Sequence, residues 1–118
     1  MSVAFGLRRN RLTLLAGVAA LAVATPAWAD ATPDCNDGAG GGSTECGTNS
    51  TTGGATNATA VGQNASATGT SSTATGQGAQ APNFFATADG AGAIAGNTSA
   101  TSIGALSNVT SFSGTGVG

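Results

Sequence analysis

Small side chains recur along most of the chain at alternate positions, in short runs set at a fixed interval. The pairs are Ala58 and Ala60, Ala65 and Ala67, Ser72 and Ala74, Ala79 and Ala81, Ala86 and Ala88, Ala93 and Ala95, Ala100 and Ser102, Ser107 and Val109, and Gly114 and Gly116. Of these eighteen positions, seventeen are Ala, Ser or Gly. Alternation with period two puts every second side chain on one face and predicts short β-strands. The restriction in size predicts an interior too narrow for larger groups. Two residues after each pair stands a turn-forming residue: Gly62, Gly69, Gly76, Asn83, Gly90, Asn97, Gly104, Ser111 and Gly118, a spacing of seven without insertion. A coiled coil shares this interval, but it needs large apolar residues at two positions and helix formers between them. Here a Gly, Asn or Ser interrupts every two helical turns and Thr is abundant, so a helix is rejected.

A longer period lies over the first. Thr59, Thr73, Thr87, Thr101 and Thr115 recur every fourteen residues, and Gly62, Gly76, Gly90, Gly104 and Gly118 form one class of turn residue without exception. The other class holds Gly69, Asn83, Asn97 and Ser111. The unit is therefore fourteen residues with two unequal strands. This predicts an all-β fold, a parallel β-roll or β-solenoid over residues 56–118, of about four and a half coils, each hydrogen-bonded to the next. An interior of methyl groups stabilises each coil weakly, at about 0.8 kcal/mol per group. Ile94, Ile103, Leu106, Val109, Phe112 and Val117 fall mainly off the small-residue face. They call for another surface, and association of copies supplies one.

The start of the chain follows a different grammar. Arg8, Arg9 and Arg11 precede an apolar run from Leu12 to Ala24 and the small-x-small tripeptide Ala27-Trp28-Ala29. That order is a secretory signal peptide over residues 1–29, cleaved after Ala29. The run is too short for a membrane span, and no other segment is apolar enough, so the mature chain carries no membrane segment of its own. Residues 30–55 read as a flexible Gly/Ser/Thr-rich segment. Within it, export to an oxidising compartment makes Cys35 and Cys46 a disulfide pair.

Charge and composition remove several functions. All three basic residues lie before position 12, and the 89 residues after the signal carry only Asp30, Asp34, Asp37, Glu45 and Asp89, a charge of −5. Without cations, binding of nucleic acid through its phosphates is excluded. The absence of His and of any nucleophile–base set argues against an enzyme, and no cofactor or metal site is expected. The run Asp34-Cys35-Asn36-Asp37-Gly38 lacks the ligand spacing of a calcium loop. The sequons at Asn49, Asn57, Asn64, Asn97 and Asn108 follow from composition.

Runs such as Asn57-Ala58-Thr59-Ala60-Val61-Gly62-Gln63-Asn64-Ala65-Ser66-Ala67-Thr68-Gly69 resemble the head repeats of trimeric autotransporter adhesins of the YadA-like kind. The resemblance covers residues 56–118. It implies a left-handed parallel β-roll, a homotrimer, and a non-enzymatic adhesive head that attaches to extracellular matrix, cells or surfaces. It also implies a coiled-coil stalk and a membrane β-barrel downstream, which would hold the head at the outer membrane; without them the roll is secreted. The chain departs from the family where Thr, Asp or Gly replaces an aliphatic residue and where Pro82 to Phe85 disturb one half-coil.

Two further features bear on function. Phe84 and Phe85 are the adjacent aromatic pair of the mature chain, a candidate contact point or a plug for the trimer interface or a widened coil. The five threonines at fourteen-residue spacing would stack as a flat row, the arrangement of an ice- or surface-binding solenoid. A disordered low-complexity segment is the third reading that composition allows.

Overall fold

The computed structural model describes residues 35–118; the expected signal peptide and its cleavage site after Ala29 lie outside them. The described residues are all β, with no helix. In chain order the strands are β1 (Cys35–Asp37), β2 (Thr44–Cys46), β3 (Thr59–Val61), β4 (Thr73–Thr75), β5 (Thr87–Asp89), β6 (Ile94–Ala95), β7 (Thr101–Ile103), β8 (Asn108–Val109) and β9 (Thr115–Val117). The larger sheet runs β1-β2-β3-β4-β5-β7-β9, parallel from β2 onward. The smaller sheet pairs β6 with β8 and is carried back along the coil by single parallel bridges joining Thr51, Ser66, Gln80 and Ile94. Each strand therefore pairs with its equivalent one coil later, which is a β-solenoid of about five coils.

The register is the one the fourteen-residue period predicts. Thr59, Thr73, Thr87, Thr101 and Thr115 are aligned partners, and so are Ala60, Ala74, Ala88, Ser102 and Gly116. The solenoid begins upstream of Thr56, however, because Thr44 pairs with Thr59 and Cys46 with Val61. The segment expected to be flexible is thus corrected: its second half is the first coil. That coil is one residue longer than the rest, with Asn49 fifteen residues from its partner Asn64 while Gln63 and Gln77 are fourteen apart. The extra residue falls between Thr52 and Thr56. Thr51 still aligns with Ser66, but the Thr56 carbonyl already accepts from Ser71 as the Thr70 carbonyl does from Phe85. An added residue breaks the phase of the sequence without breaking the ladder.

Ala58, Ala60, Ala65, Ala67, Ala74, Ala79, Ala81, Ala86, Ala88, Ala93, Ala95 and Ala100 have no exposed surface, and they fill the space between the two sheets. Four such methyls per coil contribute about 3 kcal/mol. The ladder of hydrogen bonds between coils must hold the rest. Val109 breaks the size rule yet is only 6% exposed, so it belongs inside and not among the residues that need an outside surface. Room for it comes from glycines: a Cβ placed on Gly114 would lie 2.8 Å from Val109 Cγ1, and one on Gly116 would lie 2.5 Å from Cγ2. Three departures from Ala compensate one another.

Every half-coil ends in a four-residue turn in which the first carbonyl accepts the fourth N–H, as Gly62 does from Ala65 and Asn83 from Ala86. The two corners differ. At one, which we call the glycine corner, Gly62, Gly76, Gly90 and Gly104 have φ between 108° and 140° and stack on one another. A Cβ on Gly76 would stand 2.6 Å from the carbonyl carbon of Gly90. At the opposite, asparagine corner, Gly69, Asn83, Asn97 and Ser111 do not have positive φ. There the Asn83 amide donates to the Gly96 carbonyl at 2.9 Å and the Asn97 amide to Thr110 at 3.1 Å, tying one coil to the next. Backbone strain on one side and side-chain bonding on the other produce the fourteen-residue period out of a seven-residue one.

The N-terminal end is closed. β1 turns back on β2 with Cys35 opposite Cys46, and the two are joined by a disulfide. Glu45 stands at the head of the interior row continued by Ala60, and its carboxylate accepts from the Thr52 N–H at 2.6 Å and the Thr52 hydroxyl at 2.8 Å. Thr52 and Ser43 are buried beside it. The hairpin covers a sheet edge that would otherwise offer unpaired backbone groups to another chain.

Candidate functional site

With the interior given over to alanine, function rests on what points outward. In the larger sheet each strand contributes two outward positions. The first is the threonine row, Thr59, Thr73, Thr87, Thr101 and Thr115, which Thr44 extends by one at the N-terminal end. Thr44 escapes a search at strict fourteen-residue spacing because of the longer first coil. The second row holds Cys46, Val61, Thr75, Asp89, Ile103 and Val117 in register. Only β4 carries threonine in both. The opposite face presents Thr51, Ser66, Gln80, Ile94 and Asn108.

The corners hold the rest. The third residue of each turn has positive φ, in a series at seven-residue spacing that the pattern of small residues does not reveal: Asn57, Asn64, Ser71, Gly78, Phe85, Gly92, Ser99, Leu106 and Ser113. Asn, Gly and Ser suit that conformation. Phe85 and Leu106 do not. The turn residues singled out in the sequence, Gly62, Gly69, Gly76, Gly90 and Gly104, each stand at the head of a turn; Gly118 ends the chain beside Gly104.

Phe84 and Phe85 are exposed, at 56% and 62%, in a half-coil of ordinary register. The widened-coil reading of this pair is therefore overturned: the Pro82–Phe85 stretch disturbs composition but not backbone. Phe112 occupies the same corner, two coils beyond Phe84, and is also exposed. On the other side of the coil Ile103, Leu106 and Val117 are exposed, Leu106 the most at 81%. Among the described residues no helix is long and apolar enough to cross a membrane. No family model matches the chain, and no curated protein matches it.

Proposed function

We propose that residues 35–118 form the adhesive head of an exported protein, a stiff non-enzymatic rod that assembles as a homotrimer and attaches to extracellular matrix, cells or surfaces. The observation that carries this reading is the separation of the surface. Polar residues in regular rows cover the broad faces, whereas the large apolar residues gather at the edges and find no cover within one chain. A flat polar face repeated coil after coil gives many weak, identical contacts, which suits attachment to an extended ligand through avidity. The likeness of the repeats to YadA-like heads points the same way. Solid-phase binding of the exported chain to immobilised matrix proteins and to intact cells tests it, with mass in solution measured by light scattering. A trimer that binds supports the reading. A monomer, or a trimer that binds no surface above a globular control, refutes it.

One observation favours a second reading. Six threonines, Thr44 through Thr115, lie in register at the spacing of paired strands, about 4.8 Å, on a sheet face. Such a row is suited to an ordered lattice of water or mineral. Inhibition of ice recrystallisation at micromolar protein would support it, and no inhibition would remove it.

A further inference from the structure

Phe85 and Leu106 adopt left-handed φ values of 55° and 61°, where the same series elsewhere uses Asn, Gly or Ser. For a bulky side chain this conformation is an outlier. Strain of this kind persists where a side chain serves something beyond local stability. Neither residue is buried, so packing within the chain does not offset it. They also stand on opposite corners. Phe85 N–H donates to Thr70 at the asparagine corner, and Leu106 N–H donates to Ala91 at the glycine corner.

Each has apolar company. Phe84, Phe85 and Phe112 make an aromatic edge; Leu106, with Ile103 and Val117 in the outward row beside its corner, makes an aliphatic edge. Asp89 precedes Ile103 in that row by one coil and bounds the aliphatic edge on that side. More than half of each ring is exposed. At about 200 Å² per aromatic side chain the aromatic edge offers about 380 Å², and the aliphatic edge offers a little less. One edge against the other removes about 700 Å² of apolar surface. That is the apolar share of an interface of about 1,200 Å², the lower bound for a stable one. An edge paired with itself would leave the other bare on every copy.

We propose that copies of this chain pack side by side with the aromatic edge of one against the aliphatic edge of the next, a heterologous contact that closes into a ring. It rests on the homo-oligomeric part of the function proposed above and adds which surfaces meet. Ring symmetry keeps the coils of all copies level, and this sets the partners. Phe84 and Phe85 then lie at the height between Gly78 and Gly92, where the glycine corner has no side chains to obstruct them, and Phe112 lies at the height of Leu106 and Val117. Ile103 and Val117 point from the sheet face and not straight off the corner, so the aliphatic edge is turned toward that face. Successive copies therefore rotate instead of forming a flat row.

Two double variants test this, each built from residues the repeat already uses at equivalent places. Phe84→Thr with Phe85→Ser removes the aromatic edge, following Thr70 and Ser71; Ile103→Thr with Leu106→Asn removes the aliphatic edge, following Thr75 and Asn64. Circular dichroism verifies that each keeps the β signal, and Phe112→Thr serves as a further aromatic-edge variant if the double variant loses it. Light scattering of the full chain is expected to give a closed oligomer for the wild type, a monomer for each variant alone, and a heterodimer of twice the monomer mass for an equimolar mixture. Self-association of either variant alone, or no heterodimer from the mixture, overturns the edge pairing while leaving a homo-oligomer standing. A wild-type monomer overturns both.

Discussion

Replacing Ser72 by Ala should make the protein more stable. Ser72 is fully buried, and its hydroxyl oxygen has no hydrogen-bond partner. Its backbone is satisfied: the N–H donates to Gly69 and the carbonyl accepts from Thr59. Its equivalents one coil before and after are Ala58 and Ala86, both fully buried in the same setting, so alanine fits without change of backbone. A buried hydroxyl without a partner costs about 1–3 kcal/mol in lost hydration. The dispersion attraction that a single oxygen atom supplies is small beside that. For a domain of this size a gain of 1–3 kcal/mol raises the melting temperature by about 5–15 °C. Urea unfolding followed by circular dichroism, at one fixed protein concentration because association also shifts apparent stability, should show a higher midpoint with unchanged slope. Ser102→Ala is the control. Its hydroxyl donates to the Ser107 hydroxyl at 2.9 Å, so the same change removes a made bond and should lower stability by about 1 kcal/mol. A loss of stability in Ser72→Ala, or an equal gain in both, would refute the reasoning.

Gly76→Ala brings its Cβ to 2.6 Å from the Gly90 backbone at a φ of 119°, and should destabilise by about 3 kcal/mol or more; Gly78→Ala, with nothing within 4 Å, should cost clearly less in the same melt. Gly116→Ala should lose about 1–3 kcal/mol through contact with Val109, and most of the loss should vanish in a Val109→Ala background, a coupling that a double-mutant cycle measures. Replacing Cys35 and Cys46 together by Ser should lower stability by about 3 kcal/mol and expose β2 first, seen as early loss of amide protection at Thr44–Cys46 in hydrogen exchange. Phe85→Asn should raise the melting temperature of the dilute single chain, since Asn adopts the left-handed conformation about 1 kcal/mol more easily.

The coil itself is legible because its chemistry is monotonous. Alternate Ala and Ser at seven-residue spacing leave one arrangement in which every small side chain faces inward, and the strand register follows. The first coil is not, because one residue between Thr52 and Thr56 shifts the phase and because Glu45, a charged residue, stands where Ala stands in the next coils. It is tolerated there by its bonds to Thr52 at the open end of the interior. Val109 misleads for a similar reason: its place is explained by Gly114 and Gly116, which are distant by several residues and meet it only across the coil. The left-handed positions carry a visible mark in Asn57, Asn64, Gly78 and Gly92, but Phe85 and Leu106 hide the series. Those two are also where the proposed contact lies, as expected where local preference yields to a role outside the chain.

The inequality of the two corners governs how this chain can change in length. Excising residues 73–86 would join Ser72 to Thr87, as Ser72 is now joined to Thr73, and would give a rod one coil shorter with its rows intact. Excising only residues 80–86 would keep the seven-residue beat but move the downstream stacked glycines to the corner where asparagines belong, and send Leu106 to the side of Phe85. Duplications obey the same arithmetic. Insertion and loss are therefore quantised in whole coils, and a gene that drifts by half a coil keeps its alanine interior while scrambling both edges of its surface.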